Sequence, residues 1–206
     1  MSSSDNTTDN GSLLWSGFLA GDADAFRDLI HLYYKQLYQY GSQFTKDHEL
    51  VKDCIQELFI LLWKSRSSIS KTLFVKFYLF KSLRRYLAKE IKKKNLIRLD
   101  DDLMFEGFME REFSQEDKLI IEEDLVELTD RVRLELSKLS KRQQEVIYLR
   151  FYLNVSLEEI AEIMFLNRQS TYNLLHEALK RLKNSKGIGF RSLILPLLSA
   201  LADLTP

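Results

Sequence analysis

Both prolines of the chain, Pro196 and Pro206, lie near its end. Nothing upstream of them therefore carries the side chain that most strongly breaks a helix. With only seven glycines as well, long helices are favoured over a turn-rich sheet protein. The expectation is an all-α fold. Its 206 residues allow one large domain or two small ones, and a 45 % hydrophobic share is enough to bury real cores. Cys54 stands alone, which excludes an internal disulfide and a cysteine-based zinc site. Its place in an apolar helical pattern suits a small core residue.

The start, MSSSDNTTDNGS, is polar and lacks the basic-then-apolar layout of a secretory signal. Residues 1–12 read as a disordered leader. The apolar stretch from Leu193 to Leu204 contains Pro196 and Asp203. It falls short of the roughly 20 residues needed to span a bilayer. The expectation is a cytoplasmic protein with no direct membrane insertion.

Net charge is zero, yet the charges are segregated. Residues 1–63 carry 4 basic and 9 acidic groups, and residues 64–98 carry 12 basic and 1 acidic. Residues 99–127 carry 2 basic and 12 acidic, and residues 128–186 carry 11 basic and 7 acidic. Two basic blocks flanking an acidic one suggest two polyanion-binding surfaces joined by a segment that avoids or mimics nucleic acid.

Hydrophobic spacing divides the chain further. Leu13, Leu14 and Phe18 suggest a short helix ending near Gly21. Asp22 is placed to cap a second helix in which Phe26, Leu29, Ile30, Tyr33 and Leu37 recur at helical spacing. A third helix starts near Asp47, with Val51, Cys54, Ile55, Leu58 and Leu62 on one face and Asp53, Gln56, Glu57 and Ile60 on the other. Residues 65–71, SRSSISK, read as a loop. A fourth helix runs from about Thr72 to Lys93, with Leu73, Phe77, Phe80, Leu87 and Ile91 on its apolar side. These four form one small domain over 13–95. An acidic linker follows over 96–128, then a second helical domain over 129–185 and an apolar extension over 186–206.

In the second domain, Ser140 with Gln143 and Ser156 with Glu159 have capping-box spacing. The first pair opens a helix containing Val146, Ile147, Leu149 and Tyr152; the second opens LEEIAEIM, which ends in a turn at Phe165–Asn167. Asn167 can cap the next helix, from Arg168 to about Lys183. Short helix, tight turn and longer basic helix make a helix-turn-helix.

Three surfaces carry candidate chemistry. Arg168, Gln169, Ser170 and Asn173 begin the last helix, and Arg, Gln and Asn make paired hydrogen bonds to guanine and adenine edges in the major groove. Lys180 and Arg181 can meet phosphates. An ordinary helical hairpin with a wet basic face has the same pattern. Lys81, Arg85, Lys89 and Lys92 form a stripe at i, i+4, i+8 and i+11, suited to a phosphate backbone. Tyr78 and Phe74 near that helix start either stack on unpaired bases or belong to the core. Asp53, Gln56 and Glu57, with Phe59 and Trp63 nearby, form a polar face that becomes a docking surface only if a partner is otherwise implied.

The run DCIQELFILLW, residues 53–63, resembles region 2 of the extracytoplasmic-function (ECF) sigma factors of bacterial RNA polymerase, in which an acidic-x-x-Gln-Glu-x-Phe pattern ends near a Trp. AFRDLIHLYYKQLYQY, residues 25–40, looks like the start of that region. Residues 139–183 resemble region 4. The resemblance covers 13–95 and 129–184, in the family's order.

The resemblance implies a sigma factor that needs no cofactor and has core RNA polymerase and promoter DNA as partners. It implies that Asp53, Gln56, Glu57 and Phe59 dock on the β′ clamp, and that the second domain reaches the β flap. Ser67 and Ser68 fall in the loop that captures a flipped −10 base; Tyr78, Lys81, Arg85 and Lys89 fall on the helix that holds the −10 DNA. Arg168, Gln169, Ser170, Asn173, Lys180 and Arg181 are implied at the −35 element, and an anti-sigma factor as a regulator. Two positions depart from the family: Phe165 stands where Gly is usual, and Arg85 where Asn is usual.

Two rivals remain at this stage. A free-standing helix-turn-helix regulator explains 139–183 but leaves 53–63 idle. An enzyme would need Asp100, Asp101 and Asp102, or His31, His48 and His176, in a catalytic arrangement, and no His-Glu-x-x-His, phosphate loop or nucleophile pattern accompanies them.

Overall fold

The computed structural model describes residues 3–72, 74–95 and 132–184. Every regular element among them is helical, as the scarcity of chain breakers predicts. The chain divides into two units, Met1–Leu103 and Met104–Pro206. The expected linker and the C-terminal extension lie outside the described residues, as do the aspartates at 100–102.

In the first unit, α1 spans Ser3–Leu19, α2 Ala23–Gly41, α3 His48–Ser65 and α4 Val75–Asn95, with a 3-10 turn at Arg66–Ser68. Gly21, at φ 90°, makes the turn out of α1, a backbone conformation that a side chain would strain. The Asp22 carboxylate then accepts from the N–H groups of Asp24 and Ala25 at 2.8 and 3.2 Å, so one short stretch ends one helix and caps the next. Asp47 caps α3 in the same way, accepting from the N–H of Leu50 at 3.0 Å.

Leu29, Leu37, Val51, Ile55, Leu79, Phe80, Leu83 and Leu87 are fully buried in the interior shared by α2, α3 and α4. Burying such side chains contributes on the order of 1.5–3 kcal/mol each before the entropy of ordering them is subtracted. Cys54 is buried, and burial pushes its thiol up to about 11. It is therefore a poor nucleophile at neutral pH.

Two expectations need correction. The disordered leader over 1–12 gives way to helix from Ser3 onward. Gly11 is buried against Tyr33, so closely that a Cβ there would collide with the tyrosine hydroxyl. Packing on α2 orders this part of α1, which local polarity does not reveal. The fourth helix begins at Val75, because the Thr72 hydroxyl accepts from the N–H of Phe74 at 3.0 Å and holds a turn ahead of it. Its buried stripe is Val75, Leu79, Phe80, Leu83 and Leu87, with Phe77 and Ile91 only half-buried. Leu73 lies outside the described residues.

In the second unit, residues 132–137 are helical, and α5 follows at Lys141–Ile147. A π-helical turn at Tyr148–Tyr152 leads to α6, Leu157–Ile163, and α7, Arg168–Asn184. Both capping boxes form. The Ser140 hydroxyl accepts from the Gln143 N–H at 3.3 Å while the Gln143 side chain accepts from the Ser140 N–H at 3.1 Å. Ser156 and Glu159 repeat the exchange at 3.3 and 2.9 Å. Ile160, Ala161, Ile163, Leu175 and Ala178 are buried, and small residues at 161 and 178 suit close helix packing.

Candidate nucleic-acid and partner interfaces

The helix-turn-helix is built from α6, a turn and α7. In the turn, Phe165 takes φ 54°, the left-handed region, at the very position where glycine is usual in the resembling family. The turn is thus made without its customary residue. Asn167 caps α7, accepting from the Ser170 N–H at 2.7 Å. Thr171, fully buried, donates its hydroxyl to the Asn167 carbonyl at 3.1 Å.

These bonds fix the first turn of α7, from which Arg168, Gln169 and Asn173 project into solvent while Ser170 is half-buried. The exposed groups bond to protein neighbours. Arg168 donates to the Glu158 carboxylate of α6 at 2.8 Å, and the Gln169 amide donates to Asn173 at 3.0 Å. Lys180 and Arg181 are exposed one face further along. Tyr172 also belongs to this surface: it is 54 % exposed and stacks on His176, with ring centroids 6.1 Å apart. Tyr172 is not among the candidates named from the sequence, although its spacing of four from Arg168 places it on the same face.

On α3 the polar face separates as expected. Asp53, Gln56 and Glu57 are exposed, whereas Phe59 is buried, its ring edge-on to Phe26 at 6.1 Å. Asp53, Gln56 and Ile60 border a groove of about 690 Å³ between α2 and α3, floored by Phe26, Phe59 and Trp63. Phe59 thus supports this surface from beneath.

The loop after α3 presents Ser67 and Ser68 to solvent on the 3-10 turn. Along α4, Arg85 and Lys89 are exposed, while Lys81 and Lys92 are half-buried. Lys81 lies over the Phe77 ring at 5.3 Å. Arg84, inside the same basic block, is buried, so sequence charge overstates the solvated stripe. The two aromatics near the helix start part company: Phe74 is 60 % exposed, but Tyr78 packs edge-on against buried Trp15 at 5.3 Å. Tyr78 is half-buried in that contact.

Among the described residues, no group of three or more His, Cys, Asp or Glu could hold a metal ion, and no helix is long and apolar enough to cross a membrane. What the geometry defines is a two-module helical protein, with a helix-turn-helix in one module and a basic helix beside an exposed loop in the other.

Comparison with known proteins gives that architecture its family. Residues 29–97 match the model of sigma-70 region 2, and residues 136–184 match that of sigma-70, region 4. The chain belongs to the sigma-70 family of RNA polymerase sigma factors, in its ECF branch. It is similar to the RNA polymerase sigma factor YlaC of Bacillus subtilis (strain 168), 24 % identical over 162 residues that cover 79 % of this chain and 92 % of YlaC. The fold also matches the structure of CnrH in complex with the cytosolic domain of CnrY, with a TM-score of 0.55 at 19 % identity, covering 96 % of this chain and 99 % of that one. The region 2 match spans residues 53–63, which the free-standing regulator reading leaves idle.

Proposed function

We propose that this sigma factor grips a promoter at two places while its first unit holds core RNA polymerase. The observation that carries this is the pairing of two matched regions with exposed polar faces: Asp53, Gln56 and Glu57 in region 2, and Arg168, Gln169 and Asn173 in region 4. The α3 face docks on the β′ clamp, with Phe59 supporting it from the core, and the second unit contacts the β flap. The 65–71 loop, through Ser67 and Ser68, captures a flipped −10 base, and Arg85 and Lys89 with Lys81 hold the phosphates beside it. Phe74 supplies the exposed aromatic face for an unpaired base. Arg168, Gln169, Ser170 and Asn173 read the −35 duplex, with Lys180 and Arg181 on its backbone.

Such a protein works by binding and carries out no chemistry of its own. Affinity for unpaired −10 bases that exceeds affinity for the duplex shifts the promoter toward its melted state. Flipping a base costs a few kcal/mol, which loop contacts and stacking offset. An anti-sigma factor is the regulator proposed for it, and the existence of a CnrH complex with the cytosolic domain of CnrY supports a protein partner of this kind.

The test is run-off transcription with core RNA polymerase, followed by mapping of start sites. New, discrete start sites that depend on the protein are expected. Failure to join core enzyme or to direct initiation would overturn the proposal.

A further inference from the structure

The exposed serines Ser67 and Ser68 sit in a short segment anchored at both ends. At the leading end, the Arg66 guanidinium lies over the Trp63 ring at 4.6 Å and donates to the Trp63 carbonyl at 2.9 Å. The Ser68 hydroxyl donates back to the Ser65 carbonyl at 2.8 Å. At the trailing end, the anchor comes from a different helix. The indole N–H of Trp15, on α1, donates to the carbonyl of Ser70 at 3.4 Å.

Trp15 is well placed to hold that carbonyl. Its side chain is completely buried, tilted against Phe18 at 5.1 Å and edge-on to Tyr78 at 5.3 Å. A buried indole N–H needs an acceptor, and here the acceptor is a loop carbonyl 55 residues away in sequence. Phenylalanine would fill much of the same space without that bond. Trp15 also lies ahead of residue 29, where the region 2 match begins. The anchor is therefore supplied by a helix outside the matched segment.

We infer that Trp15 is a positioning residue for the 65–71 loop, holding Ser67 and Ser68 in the conformation that receives an unpaired promoter base. The inference rests on the proposal that this loop captures the base. Ordering a loop before its ligand arrives raises affinity by removing the entropy of ordering from the binding step. Trp15 touches no DNA. Its effect on the loop passes through the Ser70 carbonyl.

The test uses the full chain with core RNA polymerase and compares Trp15→Phe, Ser67→Ala/Ser68→Ala and wild type. A promoter recovered by selection from random duplexes carries 2-aminopurine at its unpaired −10 base, and fluorescence reports base capture. Trypsin cleavage after Lys71, measured on the free protein, reports loop order. Loss of one hydrogen bond of this kind corresponds to roughly a threefold to tenfold change in an equilibrium. Trp15→Phe is expected to speed cleavage and weaken base capture by that factor, with polymerase affinity unchanged.

Normal cleavage and capture in Trp15→Phe, alongside a capture defect in the serine variant, would overturn the positioning role and leave the loop proposal standing. No capture defect in the serine variant would overturn the loop proposal and this inference with it. An equal drop in polymerase affinity and base capture for Trp15→Phe would mean that Trp15 only stabilises the domain.

Discussion

The Arg168 guanidinium lies 2.8 Å from the Glu158 carboxylate, bridging the two helices of the helix-turn-helix. Both side chains are largely exposed, and an ion pair in that setting contributes about 0–1 kcal/mol to stability. It sets where the guanidinium rests, and in the proposed −35 role DNA would compete with Glu158 for it. Arg168→Ala is expected to lower discrimination between promoter and altered −35 sequences by about 1–3 kcal/mol. Equal losses on promoter and random DNA in a titration would instead make it a phosphate contact. Glu158→Gln should leave the melting temperature nearly unchanged while raising affinity for both, since it removes an acid from beside the phosphates.

Gln56 and Phe59 differ in kind, although one sequence pattern contains both. Gln56 and Glu57 are exposed, so Gln56→Ala with Glu57→Ala should cost stability no more than about 0.5 kcal/mol per site. Polymerase affinity should nevertheless fall. Phe59→Ala removes a buried ring and is expected to cost about 3–5 kcal/mol. Denaturant unfolding alongside a polymerase-binding titration separates the two outcomes, and unchanged binding in the double variant would remove the docking assignment.

At Phe165 the left-handed backbone costs a non-glycine residue roughly 1–2 kcal/mol. Glycine removes that strain but gives back about 0.5–1 kcal/mol through the entropy of the unfolded chain. Phe165→Gly is therefore expected to be more stable than Phe165→Ala by about 0.5–1 kcal/mol. The comparison with alanine holds constant the loss of the aromatic ring. A Phe165→Gly variant less stable than Phe165→Ala by about 0.5–1 kcal/mol would show that the turn is unstrained.

Asp47 caps α3 through one carboxylate oxygen and receives Lys94, near the end of α4, on the other at 2.7 Å. The hydrogen bond from Lys94, then that from the Leu50 N–H, holds its carboxyl below the ordinary 3.8. Stability from this group is therefore fully present above pH 3.8 and is lost as pH falls through the lower folded value. The Lys94 pKa is raised by its hydrogen bond to Asp47, so its share is present below 10.5 and lost as pH rises through the higher folded value. Asp47→Asn should lower the melting temperature at neutral pH and converge with wild type in strong acid. A constant difference across that range would mean that the ionised pair contributes nothing.

Phe74 and Tyr78 should also diverge. Phe74→Ala is expected to weaken binding of unpaired −10 DNA by about 1–3 kcal/mol, the worth of one stacked base, while the fold stays intact. Tyr78→Ala opens space beside Trp15 and should lower the melting temperature first. A Phe74→Ala holoenzyme that melts promoters normally would show that no base stacks there.

Local rules made much of this molecule legible without coordinates. Missing prolines allow long helices, Asp22, Asp47, Ser140, Ser156 and Asn167 each bond a helix start within three residues, and the apolar spacing of α3 marks its buried side. These features depend on neighbours in sequence, so a pattern of residues suffices. The order of the two matched regions was equally readable, because it too is written along the chain.

Tertiary packing decided the rest. Gly11 beneath Tyr33 orders a helix that polarity alone assigns to a loose leader. Trp15 draws the half-buried Tyr78 ring against itself and leaves Phe74 in solvent, though both sit at the same helix start. Arg84 is buried and Arg85 exposed, though they are adjacent and carry the same charge. Each outcome depends on which distant side chain arrives at a given face, and the helical period fixes that face without naming its neighbour.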